Sequence, residues 1–178
     1  MTGNAANIVA FLMYADKEKL WDLTEHREHK SRNQNAYYWK LLSMTAEKLK
    51  MSKPELHNRM LRSYGQRQYI GGKLVRIPIP DTEEAEEAAL KAETYHITPT
   101  AQVVGGNDGV NYRTYLLLRG SSDYDTREMS VLLDGMINEA QQQGIETLTP
   151  IELEKMREYE RQEETRKICK GKGKAVRA

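Results

Sequence analysis

Between Gln34 and Lys50 the positions Tyr38, Leu41, Leu42, Thr45 and Leu49 recur at helical spacing, widened by Tyr37, Met44 and Ala46. That pattern predicts a long amphipathic helix with Tyr38 in the core. A second helix is expected from Ser52, where serine can cap, Pro54 suits the first turn and Glu55 can reach back to the cap amide. It should end at Gly65 in a left-handed cap. The strongest periodicity is later: Asp125 and Glu128 read as a capping box, and Met129, Leu132, Leu133, Met136, Ile137 and Ala140 follow before Gly144. Thr149-Pro150-Ile151-Glu152 opens a last helix towards Lys167, apolar only in its first half.

Strands are expected at Asn7 to Tyr14 and around His26 to Lys30, with a short helix near Lys17 to Leu23 between them. Gly71-Gly72, flanked by Gln68-Tyr69-Ile70 and Lys73-Leu74-Val75, reads as a two-residue hairpin turn. Pro78 and Pro80 end the next strand or confine it to a sheet edge. Asp81 and Glu84 suggest a cap for an Ala/Glu-rich helix to about Ala92. Tyr95 to Val104 and Val110 to Arg119 should pair across the loop from Gly105 to Gly109. Strands cluster instead of alternating with helices, so the fold class is α+β: a small mixed sheet with helices packed on it and a helical C-terminus. One domain over 1–168 is expected, then a basic, disordered tail over 169–178, which carries four cations and no acid.

Charge changes the picture more than composition does. From Glu25 to Arg76 there are twelve Lys/Arg against four Glu, a balance of +8 in a chain whose formal net charge is +1. Such segregation points to a polyanion, nucleic acid above all. Lys30, Ser31, Arg32, Gln34 and Asn35 stand where the long helix begins, so cations, polar side chains and free helix amides would converge on phosphate. Arg59, Arg62, Arg67, Lys73 and Arg76 extend the patch, and Trp39 is placed to stack on a base or seal an interface. Asp81 to Glu93 holds six acids and one lysine. Glu83, Glu84, Glu86 and Glu87 there form either a solvated helix face or a docking surface for a cationic partner.

Catalytic and metal chemistry find little. His26 and His29 would fall on opposite faces of a strand, and His57 and His96 stand alone. No Ser/His/Asp or Cys/His arrangement stands out, the glycines at 105–109 lack a phosphate-loop lysine, and Cys169 is the single cysteine. No cofactor and no enzymatic activity are expected. No signal peptide or membrane-spanning run is present, which predicts a cytoplasmic protein.

Lys30-Ser31-Arg32-Asn33-Gln34-Asn35-Ala36-Tyr37-Tyr38-Trp39 resembles the basic-Ser-x-x-Gln-Asn-x-x-x-Trp signature of the phage lambda NinB (Orf) recombination proteins. Ser121 to Thr149 is similar to that family's later pattern: a Ser/Thr-rich strand end, Thr126-Arg127-Glu128-Met129, an amphipathic helix, then Gly144-Ile145. The resemblance implies a phage-encoded homodimer of the host cytoplasm that binds DNA, single strands preferred and duplex possible. It would help a recombinase onto strands coated by single-strand-binding protein. The matching site residues are Lys30, Ser31, Arg32, Gln34, Asn35 and Trp39. The chain departs from the family at the Gly71-Gly72 hairpin, at the acidic helix from Asp81, and at Asn33, where an acid is common. A reading from another class is an anti-CRISPR protein that inhibits Cas9 by binding the effector through its acidic helix, complementary to the cationic channels of Cas9, while the basic block touches nucleic acid.

Overall fold

The structure, a computed structural model, describes residues 5–20 and 32–174; the side chains of 32, 163, 164 and 166–174 are outside that description. In chain order the elements are α1 (Ala5–Tyr14), α2 (Arg32–Leu49), α3 (Lys53–Tyr64), β1 (Tyr69–Ile70), β2 (Lys73–Leu74), β3 (Arg76–Pro80), α4 (Glu83–Lys91), β4 (His96–Gly105), β5 (Asn111–Leu118), a 3-10 turn (Ser121–Asp123), α5 (Thr126–Gln142) and α6 (Pro150–Lys174). The class is α+β.

The larger core is helical. Tyr38, Leu41, Leu42 and Ala46 of α2, Leu56, Met60 and Leu61 of α3, and Met129, Leu132, Leu133, Met136, Ile137 and Ala140 of α5 form one buried cluster. These are the positions the helical spacing selects, because each element buries a stripe recurring every three or four residues. Asp125 caps α5 through the Glu128 amide, and Glu128 returns a bond to the Asp125 amide. A smaller core joins Ala89 of α4 to Ile97 and Tyr115 of the sheet, with Ile77, Ile79 and Leu117 around them.

The sheets are antiparallel throughout, where a mixed sheet was expected. β1 pairs with β2 across Gly71 and Gly72, whose φ values of 55° and 75° are left-handed as a tight hairpin turn requires. The other sheet has order β3-β5-β4. β3 and β4 run the same way, but β5 returns between them and pairs with both. Pro78 and Pro80 lie on the edge strand β3, where a missing N–H costs least.

Several expected elements differ. Asn7 to Tyr14 is helical: alanines, Leu12 and Met13 outweigh the adjacent Ile8 and Val9, and the half-buried Ile8, Phe11, Leu12 and Ala15 have helical spacing. Residues 15–20 form turns in place of the start of a helix, and the Glu18 amide donates to the Asp16 carboxylate at 3.1 Å, an alternative to helical bonding. The strand expected at His26 to Lys30 lies outside the described residues. Gly65 has extended dihedrals (φ −80°, ψ 169°); it is glycine for space, since a β-carbon there would collide with the Leu61 carbonyl. Thr82, not Asp81, caps α4, because Asp81 is bound to Arg113. Ser52 caps α3 by accepting from the Glu55 amide at 3.2 Å, while the Glu55 carboxylate accepts from Arg59 instead of returning to the cap amide. α6 continues through Cys169 to Lys174, into the segment expected to be a disordered tail, since Lys and Arg are good helix formers.

Candidate functional site

Lys30 and Ser31 lie outside the described residues, as do His26 and His29, and α2 begins at Arg32. Gln34, expected to contact phosphate, is engaged inside the fold. Gln34 is buried, and its Nε2 and backbone amide donate to the two oxygens of Glu160 at 3.1 and 3.3 Å. Its Oε1 accepts from Ser130 Oγ at 3.1 Å. The Glu160 carboxylate, carried by α6, therefore occupies the amide end of α2 that the sequence offered to phosphate. Asn35 is half-buried, and its Oδ1 has no hydrogen-bond partner among the described residues. Trp39 is 37% exposed.

The remaining predicted cations divide by partner. Arg62 is engaged: Nη1 and Nη2 bind the Glu86 carboxylate and Nε donates to the Ile97 carbonyl at 2.9 Å. Tyr115 donates its phenol to the same carboxylate at 2.6 Å. Partial burial pushes the Glu86 pKa up, but the bonds from Arg62 and Tyr115 outweigh it and hold the carboxyl below its ordinary value. Burial, then the bond to Glu86, pushes Tyr115 up to about 12. Arg62 and Glu86 thus clamp α3 to α4 and the sheet, and neither is free for a ligand. Arg59 is exposed, and its one ion pair among the described residues is a surface pair with Glu55, worth at most about 1 kcal/mol.

Arg67, Lys73 and Arg76 are exposed and pair with no carboxylate among the described residues. They sit on and beside the β1–β2 hairpin, next to Tyr69 and Ile70, which are 55% and 67% exposed. The hairpin is fastened beside β5: the Gln68 amide donates to the Leu117 carbonyl at 2.8 Å and the Arg119 amide to the Gln66 carbonyl at 2.8 Å. A cationic ribbon with an aromatic side chain is thereby held against the sheet. Glu87 of α4 pairs with Lys91, and Asp81 before it with Arg113, while Glu83 and Glu84 are exposed and pair with no cation among the described residues. Half of the acidic run is neutralised in place.

A polar and aromatic centre that the sequence reading missed lies between α2, α3 and the end of the sheet. His57 and His96 do not stand alone; their rings meet edge to face at 5.3 Å, and Trp39 covers His57 at 4.8 Å. His57 Nδ1 lies 2.7 Å from the Tyr38 hydroxyl, and its Nε2 is 3.5 Å from Ser121 Oγ. Burial pushes the Tyr38 phenol well above its ordinary pKa. A serine and a histidine thus do approach, but a phenol stands where a nucleophilic triad needs an orienting carboxylate. His96 Nδ1 lies 2.6 Å from Asn58 Oδ1, and burial lowers its pKa. No local motif could reveal pairs 19, 38 and 64 residues apart.

Among the described residues no three His, Cys, Asp or Glu side chains gather as metal ligands, and no helix is long and apolar enough to cross a membrane. Comparison with protein-family models, curated proteins and solved structures finds no match.

Proposed function

We propose that the chain is a non-enzymatic nucleic-acid-binding accessory protein of the NinB type, preferring single-stranded DNA and acting as a homodimer in phage recombination. The observation that carries this reading is the hairpin: Arg67, Lys73 and Arg76 are exposed, with no carboxylate partner among the described residues, beside Tyr69 and Ile70. Unpaired cations supply phosphate affinity, and an exposed aromatic supplies a stacking surface. Arg59 and the exposed Lys40, Lys48, Lys50 and Lys53 extend the positive surface along α2 and α3. For the dimer, α1 offers Val9, Met13 and Tyr14, 57%, 71% and 91% exposed on an uncharged helix. The Cas9-directed alternative draws less support, because Asp81, Glu86 and Glu87 are already paired.

Fluorescence anisotropy of a labelled single strand and the matching duplex across a salt series tests the reading. Affinity falling steeply with salt, and higher for the single strand, is expected. Absence of binding to both at low salt overturns it and turns attention to Cas9 inhibition. Light scattering of the full chain checks the dimer.

A further inference from the structure

We infer that the space over Gly120 is a base-binding niche that takes one unpaired nucleobase, whose N–H group donates to His96 Nε2. This rests on the nucleic-acid reading above and gives it a second, non-electrostatic site.

The argument begins at Asn58. Its Nδ2 donates to the Leu90 and Ala92 carbonyls, each at 2.8 Å. Carbonyls only accept, so the amide orientation is fixed and Oδ1 must face His96 Nδ1, 2.6 Å away. Nδ1 therefore carries the proton. Burial disfavours the charged ring, so Nε2 presents a lone pair. His96 is half-buried, and Nε2 meets no hydrogen-bonding group among the described residues.

Gly120 supplies the floor. Its dihedrals, φ −65° and ψ 143°, suit any residue. A β-carbon there would find ordinary contacts, 3.4 Å to Ser122 Oγ and 3.9 Å to His96 Cδ2 and Nε2. Neither backbone conformation nor crowding requires glycine, and the missing methyl leaves a gap about the size of a methyl group between His96 and Ser122. Ser122 is exposed, with its hydroxyl unpaired among the described residues.

The chemistry selects the ligand. A neutral nitrogen lone pair repels phosphate and asks for a donor, which a base provides on its Watson–Crick edge only when it is unpaired. The His57 ring meets His96 edge to face at 5.3 Å, and Trp39 packs on His57 in turn at 4.8 Å. Phosphate is within reach too. Arg67 is in register with Leu118, and Leu118 with His96, so two strand spacings of about 4.8 Å separate Arg67 from His96 at the backbone.

The test compares three labelled probes with the full chain: an oligothymidylate, the same strand methylated at thymine N3, and a duplex. Methylation keeps the phosphates and the base face but deletes the donor. The oligothymidylate should bind about tenfold more tightly than the methylated strand, as one hydrogen bond warrants. Gly120→Ala, which fills the niche without straining the backbone, should bring that ratio to one while its melting temperature holds. His96→Ala should do the same to the ratio. Equal affinity of the unchanged protein for both strands, or an undiminished ratio in Gly120→Ala, overturns the niche and leaves the cationic surface standing. Failure to bind any probe overturns both.

Discussion

Free and engaged cations should separate cleanly in solution. Alanine at Arg67, Lys73 and Arg76 together removes three side chains that pair with no carboxylate among the described residues. Each phosphate contact on a single strand contributes about 0.7 to the slope of log affinity against log salt, so the triple variant should lose about 2 units. Between 50 and 200 mM salt that difference amounts to roughly a twentyfold change in relative affinity. Its melting temperature should scarcely move, since the three side chains are exposed and form no ion pair among the described residues. Arg62→Ala is the counterpart. It deletes the bonds to Glu86 and the Ile97 carbonyl and leaves that carboxylate with Tyr115 alone. With Arg62 14% and Glu86 34% exposed, solvent softens the loss to about 2 kcal/mol, a drop of roughly 4–8 °C for a chain this size. Its salt slope should match that of the unchanged protein. Anisotropy titrations at four salt concentrations and a melting curve for each variant measure both quantities. A slope that flattens in Arg62→Ala as much as in the triple variant would refute the division.

Three further outcomes are expected. Glu160→Ala removes the acceptor of two Gln34 bonds and should cost about 2 kcal/mol and speed proteolysis within α6; an unchanged denaturation midpoint would contradict the latch. Gly135→Ala drives a β-carbon into the Tyr64 ring and should cost about 1–3 kcal/mol, partly restored by adding Tyr64→Ala. His96 has its folded pKa depressed below the ordinary 6.5, so protonation favours the unfolded chain. Its contribution is complete above about 6.5 and is lost as pH falls through the lower folded value. Urea midpoints between pH 8 and pH 5 should therefore fall less in His96→Gln than in the unchanged protein.

The helical core was legible because its signals are local. The capping pair Asp125 and Glu128 is three residues apart, and the stripe from Met129 to Ala140 repeats within each turn. The Gly71-Gly72 turn and the β4–β5 hairpin were legible for the same reason: short connections and alternating patterns reveal antiparallel neighbours. α1 was misread because a short apolar run bearing Ile8 and Val9 suits a strand or a helix equally. Its helical spacing decides the matter only once Ile8, Phe11, Leu12 and Ala15 are seen half-buried together. The centre at His57 and His96 left no trace. Its members come from α2, α3, the start of β4 and the turn after β5, and only packing brings them together.

Charge was legible as a sum and not as a site. The excess of cations up to Arg76 is real, yet sequence cannot say which of them a carboxylate has already taken. Gln34 and Arg62 illustrate the difference. Both belong to the basic block by position, and both face acids from distant parts of the chain, Glu160 and Glu86. Glu160 is the more instructive case, because a carboxylate at the amide end of α2 satisfies the same backbone donor that a phosphate would. An internal anion at a helix N-terminus stabilises the fold by the physics that would otherwise bind a ligand. The described start of α2 is therefore a joint to α6. Among the described residues, exposed cations that pair with no carboxylate remain on the hairpin beside β5 and along α2 and α3.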